Sequence, residues 1–185
     1  MRRLALILSL LVTACAAPRT EAARAHSSAA SSAVPTIDAL VHPGRFTVVT
    51  FFSASCPCQR AHDDRLRALF DRYHARGVDF VAVDAEADAA PSRDTSEARA
   101  RSYPFPLVSD PEGRLADALG AEYATYTVLL DDKGHVRFRG GIDSDKSHLT
   151  DDAKPWLRDA IERVLAGRDP DPAEAKTLGC ALRRR

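Results

Sequence analysis

The amino-acid sequence predicts an α/β fold with a central mixed sheet and flanking helices. Residues 45–52 and 78–84 are two runs of β-branched and aromatic residues, and the segment between them carries apolar residues at helical spacing. A strand, a crossover helix and a second strand form a parallel pair. Residues 127–130 and 136–139 flank an Asp-Asp-Lys-Gly turn, which predicts an antiparallel hairpin. A sheet that contains both kinds of pairing is mixed.

The remaining elements follow from apolar spacing and turn residues. The first long helix begins after Cys56 and Gly77 ends it. Its core-facing residues repeat at three- and four-residue intervals: Leu66, Leu69, Phe70 and Tyr73. Shorter elements are predicted as a helical segment after Thr36, a weak helix over 94–103, an extended piece over 104–113 and a short helix over 113–123. An amphipathic helix over 156–167 follows the hairpin, with Trp156, Ile161, Val164 and Leu165 facing inward.

The first fifteen residues have the features of an export signal. Two arginines precede an apolar run, residues 4–12, that is too short to span a bilayer, and small residues follow it. Residues 12–15 (Val-Thr-Ala-Cys) resemble the lipobox of bacterial lipoproteins, in which cleavage leaves a lipidated cysteine, here Cys15. We therefore expect an exported protein, either a lipoprotein on the periplasmic face of a membrane or a secreted protein. Its only contact with a membrane is the lipid anchor.

Composition divides the chain into four segments. Residues 1–15 are the signal peptide, and residues 16–35 are an Ala- and Ser-rich flexible tether. Residues 36–167 form the folded domain, and residues 168–185 form a mobile tail rich in proline and charge that holds Cys180. Basic and acidic residues number 26 each, so no net charge favours binding of nucleic acid. No motif predicts a bound cofactor.

The motif Cys56-Pro57-Cys58 has the features of a reactive thiol site. Proline is favoured at the first position of a helix, which makes Cys56 the N-cap. A sulfur there faces unpaired backbone N–H groups and the positive end of the helix dipole, and both favour the thiolate. Cys56 is therefore the predicted nucleophile. A disulfide between Cys56 and Cys58 requires Cys56 to stay outside helical geometry and is expected to be strained and oxidising.

These elements and the cysteine motif resemble the thioredoxin-like superfamily. Residues 51–56 (FFSASC) resemble the thioredoxin approach to its first cysteine. Residues 104–141 resemble exported bacterial redoxins related to the alkyl hydroperoxide reductase and thiol-specific antioxidant (AhpC/TSA) group. The resemblance covers residues 36–167 and implies a thioredoxin-like fold. It also implies an oxidoreductase that acts on a protein dithiol or disulfide, or on a peroxide, and is regenerated by an external dithiol donor.

The motif departs from both standard sites of that superfamily. One residue separates its two cysteines, whereas a thioredoxin has two. Residues 124–126 (Ala-Thr-Tyr) stand where thioredoxins carry a cis-proline, and a non-proline there is more like a peroxiredoxin. Ser53 matches the Thr or Ser of peroxiredoxins three residues before the cysteine. However, Val49 replaces their proline, and no arginine lies between Ala121 and Lys133.

Three thiols remain if Cys15 is lipidated, and this leaves alternatives open. Gly179-Cys180 resembles the Gly-Cys ending of such redoxins, so either Cys58 or Cys180 is expected to resolve an intermediate at Cys56. A peroxiredoxin-like thiol peroxidase is the alternative enzyme. Asp84, at the end of the second strand, is a candidate proton acceptor for the thiols.

A copper-binding chaperone is the alternative from a different class of protein. Cys58 and His62 lie four residues apart on one helix, so both could face an ion together with Cys56. His135 or His148 would serve as a more distant ligand.

Overall fold

A computed structural model describes residues 35–184 of the 185-residue chain. The predicted signal peptide, Cys15 and nearly all of the predicted tether therefore lie outside the described residues. Within residues 35–184, no helix is both long enough and apolar enough to cross a membrane.

Nine helices and strands organise the described residues, with two short 3₁₀ turns at Ile37–Ala39 and His74–Arg76. In chain order they are β1 (Phe46–Phe52), α1 (Pro57–Tyr73), β2 (Val78–Asp84), α2 (Pro91–Ala100), β3 (Leu107–Ser109), α3 (Arg114–Leu119), β4 (Thr127–Leu130), β5 (Val136–Gly140) and α4 (Trp156–Leu165).

The five strands form one mixed sheet in the order β3-β2-β1-β4-β5. Strands β1 and β2 pair in parallel, with Phe46 opposite Val78 and Phe52 opposite Asp84, and β3 extends this parallel part. Strand β4 pairs antiparallel with β1 and with β5, which confirms the predicted hairpin. The predicted mixed sheet with flanking helices is thus confirmed, and β1 lies at its centre.

Alternate residues of β1 face opposite layers of the core. Val48 and Phe52 belong to one apolar cluster, whose helical members are Leu66 and Tyr73 of α1 and Leu157, Ala160, Ile161 and Val164 of α4. Val49 and Phe51 belong to the other cluster, which contains Leu115 and Leu119 of α3 and both cysteines of the Cys-Pro-Cys motif. Because side chains alternate along a strand, a fully buried strand must supply both layers.

The start of α2 and the buried face of α4 differ from the sequence-based prediction. Helix α2 begins at Pro91 rather than at residue 94, because proline is favoured at the first helical position. In α4 the fully buried residues are Leu157, Ala160, Ile161 and Val164, whereas Trp156 and Leu165 pack only partly against the core. The predicted inward face is therefore correct for Ile161 and Val164 and is rotated at the two ends.

The expectation of a mobile tail is wrong for residues 173–184, which we call the C-terminal strap. The strap first pairs with β5 through the backbone of Arg139 and then with the loop before β4, where Ala181 bridges Tyr123. The N–H of Leu182 donates to the carbonyl of Glu122 at 2.9 Å, and the Leu182 side chain is buried. Backbone pairing and this buried leucine fix a segment whose composition alone predicts no order.

Candidate active site

Cys56 lies at the N-terminus of α1, directly after the central strand. Its backbone is extended (φ −83°, ψ 114°), and Pro57 occupies the first turn. The Cys56 sulfur accepts a hydrogen bond from the backbone N–H of Gln59 at 3.4 Å. The predicted N-cap position is therefore confirmed, and the sulfur receives a donor from one of the N–H groups that a helix start leaves unpaired.

The strap brings the third thiol to the other two. The backbone N–H of Ala124 donates to the carbonyl of Cys180 at 2.8 Å, which places this residue beside the start of α1. The sulfurs of Cys56, Cys58 and Cys180 all lie within 4.8 Å of one another, and all three are free thiols. Cys56 and Cys58 are each only 2% exposed, while Cys180 is half-buried. The three predicted redox residues thus form one cluster, the thiol cluster.

The pKa values of Cys58 and Cys180 are both raised within the thiol cluster. Burial raises the pKa of Cys58, and the negative charge of a Cys56 thiolate raises it further. Burial also raises the pKa of Cys180, together with its hydrogen bond to Cys56 and the charge there, to about 12. One thiolate in the cluster therefore disfavours a second, as expected for like charges held close together. The Cys56 sulfur is the one that lies at the N-terminus of α1, where the helix dipole is positive.

Gln59 connects the first turn of α1 to the loop before β4, with which the strap pairs. Its side-chain oxygen accepts a hydrogen bond from the backbone N–H of Thr125 at 3.1 Å, and its amide nitrogen donates to the Tyr103 hydroxyl at 3.2 Å. Thr125 has a left-handed backbone (φ +75°), which is unusual for a β-branched residue. Sequence analysis missed Gln59, because nothing in the spacing of an isolated glutamine indicates a buried partner.

The buried ion pair between Arg101 and Asp63 also contacts the start of α1. The Tyr103 hydroxyl donates to Asp63, and the Arg101 guanidinium binds the same carboxylate at 3.1 Å. Arg101 also donates to the carbonyl of Ala54 at 3.0 Å and lies over the ring of Phe52. These contacts tie the segment before Cys56 to α1 and to the end of α2. Removal of either charge would leave the other buried without its partner.

His62 faces away from the thiols, so a copper site that includes it is a wrong prediction. Its Nδ1 lies 2.8 Å from the carbonyl oxygen of Cys58, and its Nε2 lies 3.1 Å from the carboxylate of Asp143. Both partners are acceptors, so both ring nitrogens must carry a proton. Burial lowers the pKa of His62, but the Asp143 carboxylate and the Cys58 carbonyl outweigh it, and the net pKa is raised. The side chain is a buried cation that holds the first turn of α1.

The two other histidines predicted as candidate ligands, His135 and His148, and the carboxylate of Asp84 do not join the thiol cluster. His135 pairs with Asp131 in the hairpin turn at 3.2 Å, and His148 is exposed. Asp84 accepts a hydrogen bond from the N–H of Glu86 at 2.9 Å and binds Arg93. Burial, followed by the neighbouring charge of Asp94, raises the pKa of Asp84 to about 7. None of these partners is a thiol, so its predicted role as proton acceptor has no support.

Comparison with known proteins assigns this arrangement to a family. The Redoxin family model matches residues 27–153, which is more than half of the chain. The chain belongs to the Redoxin family. This membership makes it a thiol-dependent oxidoreductase, and it agrees with a free thiol at the end of the central strand. No curated protein matches this redoxin.

Solved structures show the same thioredoxin-like fold. A hypothetical protein from Sinorhizobium meliloti is 26% identical, with a TM-score of 0.68 over 76% of this chain and 80% of that one. A thioredoxin-like protein solved in its oxidised form is 23% identical, with a TM-score of 0.55 over 73% and 86% of the two chains. The bacterioferritin comigratory protein of Xanthomonas campestris is 18% identical, with a TM-score of 0.51 over 72% and 84%. The predicted thioredoxin-like fold is thereby confirmed.

Proposed function

We propose that this redoxin is an exported thiol–disulfide oxidoreductase in which Cys56 is the nucleophile and Cys180 resolves the intermediate. The observation that carries the proposal is the thiol cluster, in which three free sulfurs lie within 4.8 Å at the N-terminus of α1. Two thiols suffice for a disulfide, and the strap contributes a third from the far end of the chain. The backbone contacts of the strap support a redox role for that third thiol.

The reaction proceeds by two thiolate attacks. The Cys56 thiolate attacks one sulfur of a partner disulfide, which forms a mixed disulfide and releases the other partner sulfur as a thiolate. A second thiolate of the cluster then attacks the Cys56 sulfur, releases the remaining partner sulfur and leaves an internal disulfide. Two electrons have passed to the partner, which takes up two protons. An external dithiol donor reduces the internal disulfide and completes the cycle.

Two observations favour Cys180 over Cys58 as the resolving residue. Cys58 is separated from Cys56 by one proline, so a disulfide between them spans a single intervening residue and is expected to be strained. The Cys180 sulfur instead approaches from a separate segment with its own backbone contacts. Once Cys56 enters a mixed disulfide its negative charge is lost, and this charge contributes to the raised pKa of both Cys58 and Cys180. Reaction at Cys56 therefore activates either resolving thiol, and the choice of Cys180 rests on the geometry.

A thiol peroxidase is the second candidate, and the burial of the thiols favours it. Cys56 and Cys58 are almost inaccessible, so a small hydroperoxide reaches them more easily than a protein disulfide does. The Cys56 thiolate would attack a peroxide oxygen, become a sulfenic acid and release water or an alcohol. Cys180 would then condense with the sulfenic acid and release water. Consumption of hydrogen peroxide in the presence of a dithiol donor separates this activity from disulfide exchange.

Export and lipidation complete the proposal. The basic start, short apolar run and lipobox-like residues before Cys15 support a lipoprotein on the periplasmic face of a membrane. The mass of the mature N-terminal peptide tests it, because lipidation adds acyl chains to Cys15. A mature chain that begins elsewhere, or retains Met1, contradicts this part of the proposal alone.

Trapping of the mixed disulfide tests the role of Cys56. The Cys58→Ser/Cys180→Ser double variant keeps one thiol of the cluster, and the Cys56→Ser/Cys180→Ser variant is its matched control. We expect glutathione disulfide to give one stable adduct per chain in the first variant and to react much more slowly with the control. Equal reaction rates, or no adduct on Cys56, would contradict the assignment of the nucleophile.

A further inference from the structure

We propose that the thiol cluster is also a binding site for a soft metal ion, Cu(I), held by the three sulfurs of Cys56, Cys58 and Cys180. The inference goes beyond the redox function, because metal binding requires no turnover. It also replaces the histidine-containing site with a different set of ligands. Its basis is the arrangement of the sulfurs and the chemistry of their surroundings.

The distances between the sulfurs are close to those of a metal site. Thiolates bind Zn²⁺ at about 2.3 Å, and similar bonds at 120° to one ion place two sulfurs about 4.0 Å apart. In this redoxin all three sulfurs lie within 4.8 Å of one another. Closure around an ion therefore requires shifts of less than about 1 Å. Side-chain rotation of Cys180 on the half-buried strap is sufficient for a movement of this size.

The start of α1 and the C-terminal strap together hold the three sulfurs in place. Cys56 is held as the N-cap of α1, Cys58 lies in the first turn of the same helix, and Cys180 is held by its carbonyl contact to Ala124. The strap is also anchored on both sides of this cysteine. Gly179 packs against the carbonyl of Ala124, and Arg183 binds the carboxylate of Glu86. A site assembled before the ion arrives loses less conformational entropy when it binds.

Ligand number and type favour Cu(I) over Zn²⁺. Among the described residues, this group contains only the three cysteines and no histidine or carboxylate. Structural zinc sites are almost always four-coordinate, whereas soft thiolates without a hard fourth ligand suit Cu(I). The imidazole of His62, the nearest candidate in sequence, is occupied by the Cys58 carbonyl and Asp143.

A cation also relieves the electrostatic conflict within the cluster. Three sulfurs lie within 4.8 Å of one another, so thiolates at these positions repel each other when no cation is bound. A bound cation compensates this repulsion and displaces the thiol protons. Any disulfide within the cluster consumes two of the three ligands. Metal binding and the oxidised state are therefore mutually exclusive.

The experiment is an anaerobic titration of the fully reduced chain with Cu(I), using bicinchoninate as the competing chelator. We expect one Cu(I) per chain and an X-ray absorption spectrum with three sulfur ligands. Because loss of outer partners alone costs metal sites about 10- to 100-fold in affinity, Cys180→Ser should weaken Cu(I) binding by at least about 100-fold. Ala181→Ser, which adds a hydroxyl at the exposed neighbour, should bind as tightly as the parent.

Three results would overturn the inference. The first is substoichiometric binding, and the second is an unchanged affinity in Cys180→Ser. The third is an X-ray absorption spectrum with nitrogen ligands. His148→Ala would then show whether this histidine supplies them. Tighter binding of Zn²⁺ than of Cu(I) under the same competition would overturn the choice of ion. If copper binding fails while glutathione disulfide still reacts at Cys56, this inference falls and the proposed oxidoreductase function stands.

Discussion

The carbonyl of Cys180 accepts a hydrogen bond from the backbone N–H of Ala124 at 2.8 Å. This contact joins residues 56 positions apart in the chain and brings Cys180 to Cys56 and Cys58. Leu182 repeats the pairing two residues later through Glu122, so the strap adds a short extended segment to the loop before β4. Residue 180 is consequently positioned by the backbone, and its thiol is free to react.

Gly179→Ala should release the strap without removing any thiol. A Cβ at this position would lie 1.8 Å from the carbonyl oxygen of Ala124, which is far closer than atoms can approach. We expect the disulfide between Cys56 and Cys180 to form more slowly and Cys56 to be alkylated faster by iodoacetamide. Quenched-flow alkylation followed by mass spectrometry measures both rates. Ala181→Ser is the control, and identical rates in Gly179→Ala would show that the strap does not position Cys180.

Gln59→Met should slow disulfide formation while the fold persists. The variant keeps the side-chain volume but removes the hydrogen bonds to Thr125 and Tyr103, at a cost of about 1 kcal/mol in the free energy of unfolding. Because the strap pairs with the loop that contains Thr125, we expect the Cys56–Cys180 disulfide to form more slowly. Asp71→Asn, on the exposed side of the same helix, is the control. If Gln59→Met lowers the free energy of unfolding but the Cys56–Cys180 disulfide forms at the parent rate, Gln59 has only a structural role.

The contribution of His62 to stability should be lost as the pH rises above the unfolded pKa of about 6.5 and through the folded pKa. The pKa of His62 is raised in the folded state, so its contribution is complete below its unfolded pKa of about 6.5 and is lost as the pH passes its folded pKa. At pH 6, His62→Gln should lose about 3 kcal/mol, because the variant removes one partner of a buried ion pair. Urea unfolding from pH 5.5 to 8 measures this, with exposed His148→Gln as control. A variant as pH-dependent as the parent would refute the buried imidazolium.

Asp84 should add a second, separate pH dependence. Its pKa rises to about 7 on folding, first through burial and then through Asp94, whereas an unfolded aspartate titrates near 4. Between these values the folded state holds the extra proton, so stability falls as the pH rises from about 4 to 7. Asp84→Asn should flatten this part of the urea-unfolding profile, and Asp38→Asn, at an exposed position, should not. A steeper profile in Asp84→Asn would contradict the direction of the shift.

Local patterns predicted most of the fold and the two neighbouring cysteines. Strand β2 follows from a run of β-branched and aromatic residues and the hairpin from its turn residues, while the cap at Cys56 follows from the preference of Pro57 for the first helical turn. The position of the strap depends on backbone contacts between distant residues, which leave no periodic pattern. The orientation of His62 depends on Asp143, 81 residues away. Spacing on one helix indicated a ligand there, whereas the tertiary contact made it a buried cation.

The most direct test of the account is a non-reducing tryptic map after mild oxidation of the full chain. Cleavage after Arg45 and Arg60 places Cys56 and Cys58 in one peptide, and cleavage after Lys176 and Arg183 isolates Cys180 in another. We expect the two peptides to be joined by a disulfide, with fragment ions that assign the bond to Cys56 and Cys180. Two separate peptides, with the bond closed inside the first and Cys180 still free, would contradict the proposed resolving role of the strap.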